Sequence, residues 1–113
     1  MSSRSDSVYL NDMFDSINAI EQFIAGLDYE KFVNDRKTYS ATLRELEIIG
    51  EAGGKVSDDF KTRHPEIDWR TLKDFRNVLA HEYFGVNSEI IWDVVISKLP
   101  VLKGLLEVIV REE

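Results

Sequence analysis

The sequence predicts an all-α domain, an antiparallel bundle of four main helices plus a short helical turn. Apolar residues recur at intervals of three and four along most of the chain. No segment alternates apolar and polar residues as a half-buried strand would. Breakers at Gly26, His64-Pro65 and Gly85 divide the pattern into pieces of helical length.

Residues 1–6 are expected as a flexible tail, and Ser5, Asp6 or Ser7 as the N-cap of the first helix. Leu10, Met13, Phe14, Ile17, Ile20, Ile24 and Leu27 form its apolar stripe, and Gly26 and Asp28 punctuate its end. Asp28 to Phe32 reads as a short helical turn. A second long helix starts near Asp35 and carries Tyr39, Leu43, Leu46, Ile49, Gly53 and Val56 on one stripe. Gly50 and Gly53 each cost a helix about 1 kcal/mol relative to Ala, which a close helix-helix approach would explain. The alternative is that Gly53-Gly54 loosens or ends this helix.

The residue before a proline is pushed away from helical geometry, so His64-Pro65 marks a break. Asp68 then caps a third helix with Trp69, Leu72, Phe75, Val78 and Leu79 as its buried stripe, and Gly85 is a natural C′ residue after Phe84. Asn87 or Ser88 caps the last helix, whose apolar positions are Ile91, Val94, Val95, Leu99, Leu102, Leu106 and Ile109. Pro100 lacks a backbone donor and crowds the preceding turn, so a kink is expected there.

A chain of 113 residues fits a single domain, with 43% hydrophobic and 31% charged residues as in ordinary globular proteins. No apolar run approaches the roughly 18 residues of a membrane span. The polar start lacks a signal-peptide core, and a cytoplasmic location is expected. Without cysteine there is no disulfide, thiolate metal site or cysteine nucleophile. No zinc or other metal site is expected: His64 and His81 have no ligand-type partner at helical spacing, and Glu47 with Glu51 reads as ordinary helix solvation. No glycine-rich phosphate loop follows a strand, and the serines have no triad context.

The net charge of −7 argues against a nucleic-acid binder, but the charges are unevenly spread. Residues 61–76 hold 5 bases and 3 acids and are the one net-positive stretch, flanked by 6 bases and 12 acids before and 3 bases and 6 acids after. Its cations Lys61, Arg63, Arg70 and Lys73 are either a solvated surface or, with Arg70 and Lys73 foremost, a substrate-binding patch.

That stretch leads into Arg76-Asn77-Val78-Leu79-Ala80-His81-Glu82-Tyr83. Arginine fixes a phosphate through a planar fork of donors, and histidine can move a proton near neutral pH. At about 100° per residue, Arg76 and Tyr83 lie nearly on one face, while Asn77 and His81 form an i,i+4 pair. Arg76 and His81 are about 140° apart, too wide for one narrow slot unless the arginine reaches across or a second copy of the helix supplies the other half. A composite site at a homodimer interface is therefore expected, with Arg76 and His81 of both subunits catalytic and Asn77 supporting His81. RNA cleavage needs the 2′-hydroxyl deprotonated, the phosphorus centre stabilised and the leaving 5′-oxygen protonated, which two imidazoles and arginines can supply without metal. Structural roles compete with this. Arg76 could pair with Glu47 or Glu51, His81 could favour the helix C-terminal dipole, and Tyr83 could be a half-buried interface residue.

Four segments in succession, Leu46 to Ala52, Pro65 to Trp69, Arg76 to Tyr83 and Leu99 to Leu102, make the chain similar to the HepT-like toxins of the HEPN superfamily. The resemblance implies a HEPN-like helical domain over residues 1–113. It implies a dimeric, metal-independent endoribonuclease with no cofactor of its own, the toxin of a type VII-like toxin-antitoxin module. Its partner would be an MntA-type nucleotidyltransferase antitoxin that uses ATP to transfer AMP to the signature tyrosine, by analogy Tyr83. Arg76, Asn77, His81 and Tyr83 occupy the signature positions without departure. Two other expectations stand beside it: a non-catalytic HEPN interaction subunit of a nucleotidyltransferase complex, which the acidic net charge favours, and a helical scaffold.

Overall fold

The computed structural model describes residues 5–81 and 86–112, and of His81 the backbone alone. The described residues form α1 (Asp6–Ile24), α2 (Tyr29–Asn34), α3 (Arg36–Lys55), α4 (Asp58–Arg63), α5 (Trp69–His81), α6 (Ser88–Asp93) and α7 (Leu99–Glu112), with a π-helical turn at Val94–Lys98 joining the last two. No strand occurs among them, and no helix is long and apolar enough to cross a membrane.

The heart of the fold is the pairing of α1 with α3; α5 also packs on α3, and α7 on α1. Leu10, Met13, Ile17 and Ile20 of α1 meet Leu43, Leu46, Ile49 and Ala52 of α3, all at 5% exposure or less. Burying a side chain of this kind stabilises by about 1.5–3 kcal/mol, which is why the spacing of three and four decides the fold. The start of α1 lies beside the end of α3. There the Asp6 carboxylate accepts hydrogen bonds from the Ser57 backbone N–H at 2.8 Å and hydroxyl at 2.7 Å, so the two helices run antiparallel.

Side-chain caps set most helix starts. Asp28 accepts from the Lys31 N–H, Asp35 from the Thr38 N–H, and Asn87 from the N–H groups of Glu89 and Ile90. The Asp68 carboxylate accepts from both the N–H (3.0 Å) and the hydroxyl (2.7 Å) of Thr71, as its position before the third main helix predicts. Gly53-Gly54 does not end α3, which continues to Lys55. A Cβ on Gly53 would stand 3.3 Å from Leu72 Cδ1, so this glycine serves close packing.

Several expectations are corrected. Asp6 belongs to the first helix rather than to a tail. The helical turn after α1 covers Tyr29–Asn34, with Asp28 as its cap. The short helix α4 was not expected, although Ser57 followed by Asp58 and Asp59 is an N-cap with an acidic first turn, and the Ser57 hydroxyl accepts from the Phe60 N–H at 3.2 Å. Val78, assigned to a buried stripe, is 42% exposed, and Trp69, Leu72 and Phe75 are half-buried. The reason is that, among the described elements, α5 packs extensively against α3 alone; beside Leu72 and Phe75 an apolar cleft of about 360 Å³ opens toward α7. The interruption expected at Pro100 begins earlier, as the π turn, where the Leu99 N–H reaches back five residues to the Val94 carbonyl. Pro100 cannot donate to the Ile96 carbonyl, and a widened turn carries the helix past that missing bond. The expected C′ role of Gly85 after Phe84 lies outside the described residues.

Candidate active site

α5 is fixed at its start by the Asp68 cap and by the Trp69 indole N–H, which donates to the His64 carbonyl at 3.0 Å. It then crosses α3 at Gly50. A Cβ built on Gly50 would collide with Arg76 Cβ, and would lie 2.9 Å from Arg76 Cγ and 3.1 Å from the Leu72 carbonyl oxygen. Arg76 therefore leaves α5 at its seam with α3, with the base of its side chain pressed on a residue that has none.

The consequence for its guanidinium is unusual. Arg76 Nε is buried and, among the described residues, has no hydrogen-bond partner. Among the described residues no carboxylate lies within ion-pair distance of Arg76; Glu47, one of its two expected partners, instead stands 3.9 Å from Arg44. A buried donor without an acceptor costs on the order of 1–3 kcal/mol. An anion at Arg76 would recover that cost.

Arg76 opens onto a groove of about 800 Å³ between α5 and the ends of α3 and α4. Arg70 and Lys73, the two expected substrate-binding residues, line it with Arg76, and Lys55 and Lys61 line it as well. Glu51, Asp58 and Asp74 are interspersed. Among the described residues the groove thus has two more cations than carboxylates, whereas the chain as a whole carries −7. Charge of one sign gathered in a concave surface attracts anions locally even on an acidic protein. Lys55 and Trp69 were missed as groove residues. Lys55 lies outside the net-positive stretch and arrives from α3, which no linear pattern announces; Trp69 was assigned to the core stripe.

α5 is α-helical through His81, so the sequence register stands: His81 lies about 140° around from Arg76, and the half-buried Asn77 one turn before it. The His81 side chain and Tyr83 lie outside the described residues. On the other flank of the same helix, Thr71, Leu72 and Phe75 face Val101, Leu102 and Leu105 across the apolar cleft.

Comparison with known proteins places the chain in a family. A family model described as "Ribonuclease HepT-like" matches residues 13–109. A protein of Thermococcus cleftensis named as a probable ribonuclease HepT is 44% identical over 104 residues, covering 92% of this chain and 94% of that one. A protein of Methanocaldococcus jannaschii named as a candidate RNase is 34% identical over 109 residues, covering 96% and 100%. Another so named, from Caldanaerobacter subterraneus, is 33% identical over 105 residues, covering 93% and 94%. No solved structure matches the chain.

Proposed function

Since the chain belongs to the HepT-like ribonuclease family, we propose that it is a metal-independent endoribonuclease acting as the toxin of a two-gene module. The observation that carries this reading is the buried, unpartnered Nε of Arg76 at the head of a cationic groove. A phosphodiester supplies the missing acceptor.

In the proposed reaction the ribose 2′-oxygen attacks phosphorus, its proton passing to the imidazole of His81. The bond from phosphorus to the 5′-oxygen breaks, and that oxygen takes a proton from the His81 of a second subunit. Arg76 holds the non-bridging oxygens as negative charge builds on them. The products are a 2′,3′-cyclic phosphate and a 5′-hydroxyl. Asn77 holds His81 in position.

The 140° between Arg76 and His81 favours a homodimer in which Arg76 and His81 of both subunits contribute to one shared site. The apolar cleft beside α5 suits a second copy, because a helix docked there stands next to the helix that carries both residues. Control falls to Tyr83. An MntA-type nucleotidyltransferase transfers AMP from ATP to its hydroxyl with release of pyrophosphate, and the added bulk and negative charge compete with RNA on the Arg76 face.

The test is incubation of the unmodified protein and His81→Ala with a defined single-stranded RNA in EDTA, with the new ends mapped. Cleavage by the parent alone, leaving cyclic phosphate, is expected. If neither protein cuts while both stay folded dimers, the reading gives way to a non-catalytic interaction subunit, which the net charge of −7 favours.

A further inference from the structure

The groove is far larger than one phosphate requires, and its cations are arranged in sequence. Arg76, Lys73 and Arg70 are three residues apart on α5, so they rise along the groove in steps of about 4.5 Å. Among the described residues none of them is in an ion pair, and neither are Lys55 and Lys61 on the opposite rim. Lys61 Nζ donates to the Gly54 carbonyl at 3.1 Å, a contact that positions the ammonium over the groove and leaves its charge uncompensated by a carboxylate.

Trp69 lines the same groove, seven residues and about 10 Å before Arg76 on nearly the same face of α5. Its ring is held by the indole hydrogen bond to His64 and by edge-on packing with Phe60, centroids 6.2 Å apart at 79°. Lys61 Nζ stands 6.0 Å from the Trp69 ring centroid. A fixed aromatic plane beside a row of cations is the pairing that single-stranded nucleic acid uses, phosphates on the charges and a splayed base on the ring. A duplex keeps its bases stacked within the helix and offers none to the ring.

We propose that this groove seats the nucleotides flanking the cleaved bond, with one unpaired base stacked on Trp69 and its backbone held by Lys61 and Lys55 opposite Lys73 and Arg70. The proposal rests on the ribonuclease reading and adds to it a strand path, two phosphate contacts and a requirement for single-stranded RNA. Arg76 holds the scissile phosphate; Trp69, a helical turn and more away, holds a neighbour. Specificity then comes from strandedness and base stacking, and the acidic remainder of the surface discourages binding elsewhere.

The test is a binding titration in EDTA on a His81→Ala, Trp92→Phe protein, in which RNA is not cut and Trp69 is the one remaining tryptophan. A short oligouridylate is the probe, read by Trp69 emission and by anisotropy of a labelled strand. Quenching of Trp69 that saturates with the anisotropy is expected, with none from a duplex of equal length. Lys61→Gln and Lys55→Gln should each reduce the slope of log affinity against log salt by about 0.7, the value for one phosphate contact on a single strand. Lys37→Gln, at the exposed start of α3, should leave the slope unchanged. If the strand binds with Trp69 emission and both slopes unaltered while the parent protein cleaves RNA, the groove assignment is overturned and the ribonuclease reading stands. If no strand binds and the parent does not cleave, both fall together. Far-ultraviolet circular dichroism of each variant separates a lost contact from a lost fold.

Discussion

Gly50 and Arg76 press on each other where α3 crosses α5: a single Cβ on the glycine would occupy the space of the arginine's own Cβ. The glycine is thus what allows the arginine to emerge from the helix seam. Gly50→Ala should destabilise the fold by about 1–3 kcal/mol through overpacking, despite the roughly 1 kcal/mol that alanine gains in helix propensity. Gly54→Ala, four residues on, meets nothing within 4 Å and should stabilise by up to about 1 kcal/mol. Urea unfolding of the two variants checks the contrast, and equal effects would remove Gly50 from the account of the site.

Arg76→Ala should lower RNA cleavage about 100- to 1000-fold, the usual loss when a donor to developing negative charge is removed. Since the buried Nε has no acceptor among the described residues, stability should hold or rise. Arg76→Lys should recover only part of the rate, because a point charge does not replace a fork of donors. Turnover measured beside thermal melts distinguishes this from an arginine that merely supports the fold, for which stability would fall with activity.

Tyr83→Phe should stay fully active on RNA and escape neutralisation by the nucleotidyltransferase. Mass spectrometry after incubation with the partner and ATP should find AMP on the parent and none on the variant. Neutralisation of the variant through another modified residue would move the acceptor elsewhere.

The apolar cleft carries the dimer prediction. Val101, 63% exposed on its rim, should tolerate glutamate in the monomer's fold. Val101→Glu should nevertheless give a monomer by sedimentation, with cleavage reduced at least tenfold, because an unpaired charge would be desolvated on docking. A dimer of unchanged affinity would place the interface on another face.

The caps set an acid limit. Hydrogen bonds from the side chain and then the backbone of Thr71 hold the Asp68 carboxyl below its ordinary value, and those from the backbone and then the side chain of Thr38 lower Asp35. A depressed folded-state pKa contributes stability that is complete above the ordinary aspartate value and lost as pH falls through the depressed one. Asp68→Asn keeps an acceptor for the Thr71 N–H but cannot titrate, so its melting temperature should fall less steeply in acid than the parent's. Identical acid limbs would show that the cap's charge contributes nothing.

What was legible in the sequence follows physical range. Helix positions and caps were readable because periodicity and capping are local: Asp68, Asn87 and the α1 and α3 stripes sit where their spacing puts them. The placement of Arg76 and Asn77 on α5 was readable because helical register is local. Arg70 and Lys73 reached the groove because they share a helix with Arg76. Lys55 did not announce itself, since its place depends on how α3 crosses α5. Val78 was misjudged for the same reason: an apolar residue on an amphipathic helix is buried only where a neighbour covers it, and among the described residues no helix closes over that flank of α5.

The two flanks of α5 draw on different residues in every turn: Trp69, Arg70, Lys73 and Arg76 on the groove, Thr71, Leu72 and Phe75 on the cleft. One helix diameter, about 10 Å, separates them. A substitution that keeps the cleft apolar leaves the cations of the groove untouched, so the surface offered to a second copy can change shape independently of the surface offered to an anion. Two versions of such a chain could therefore be kept from pairing by a few altered apolar side chains on the cleft, with the groove unchanged.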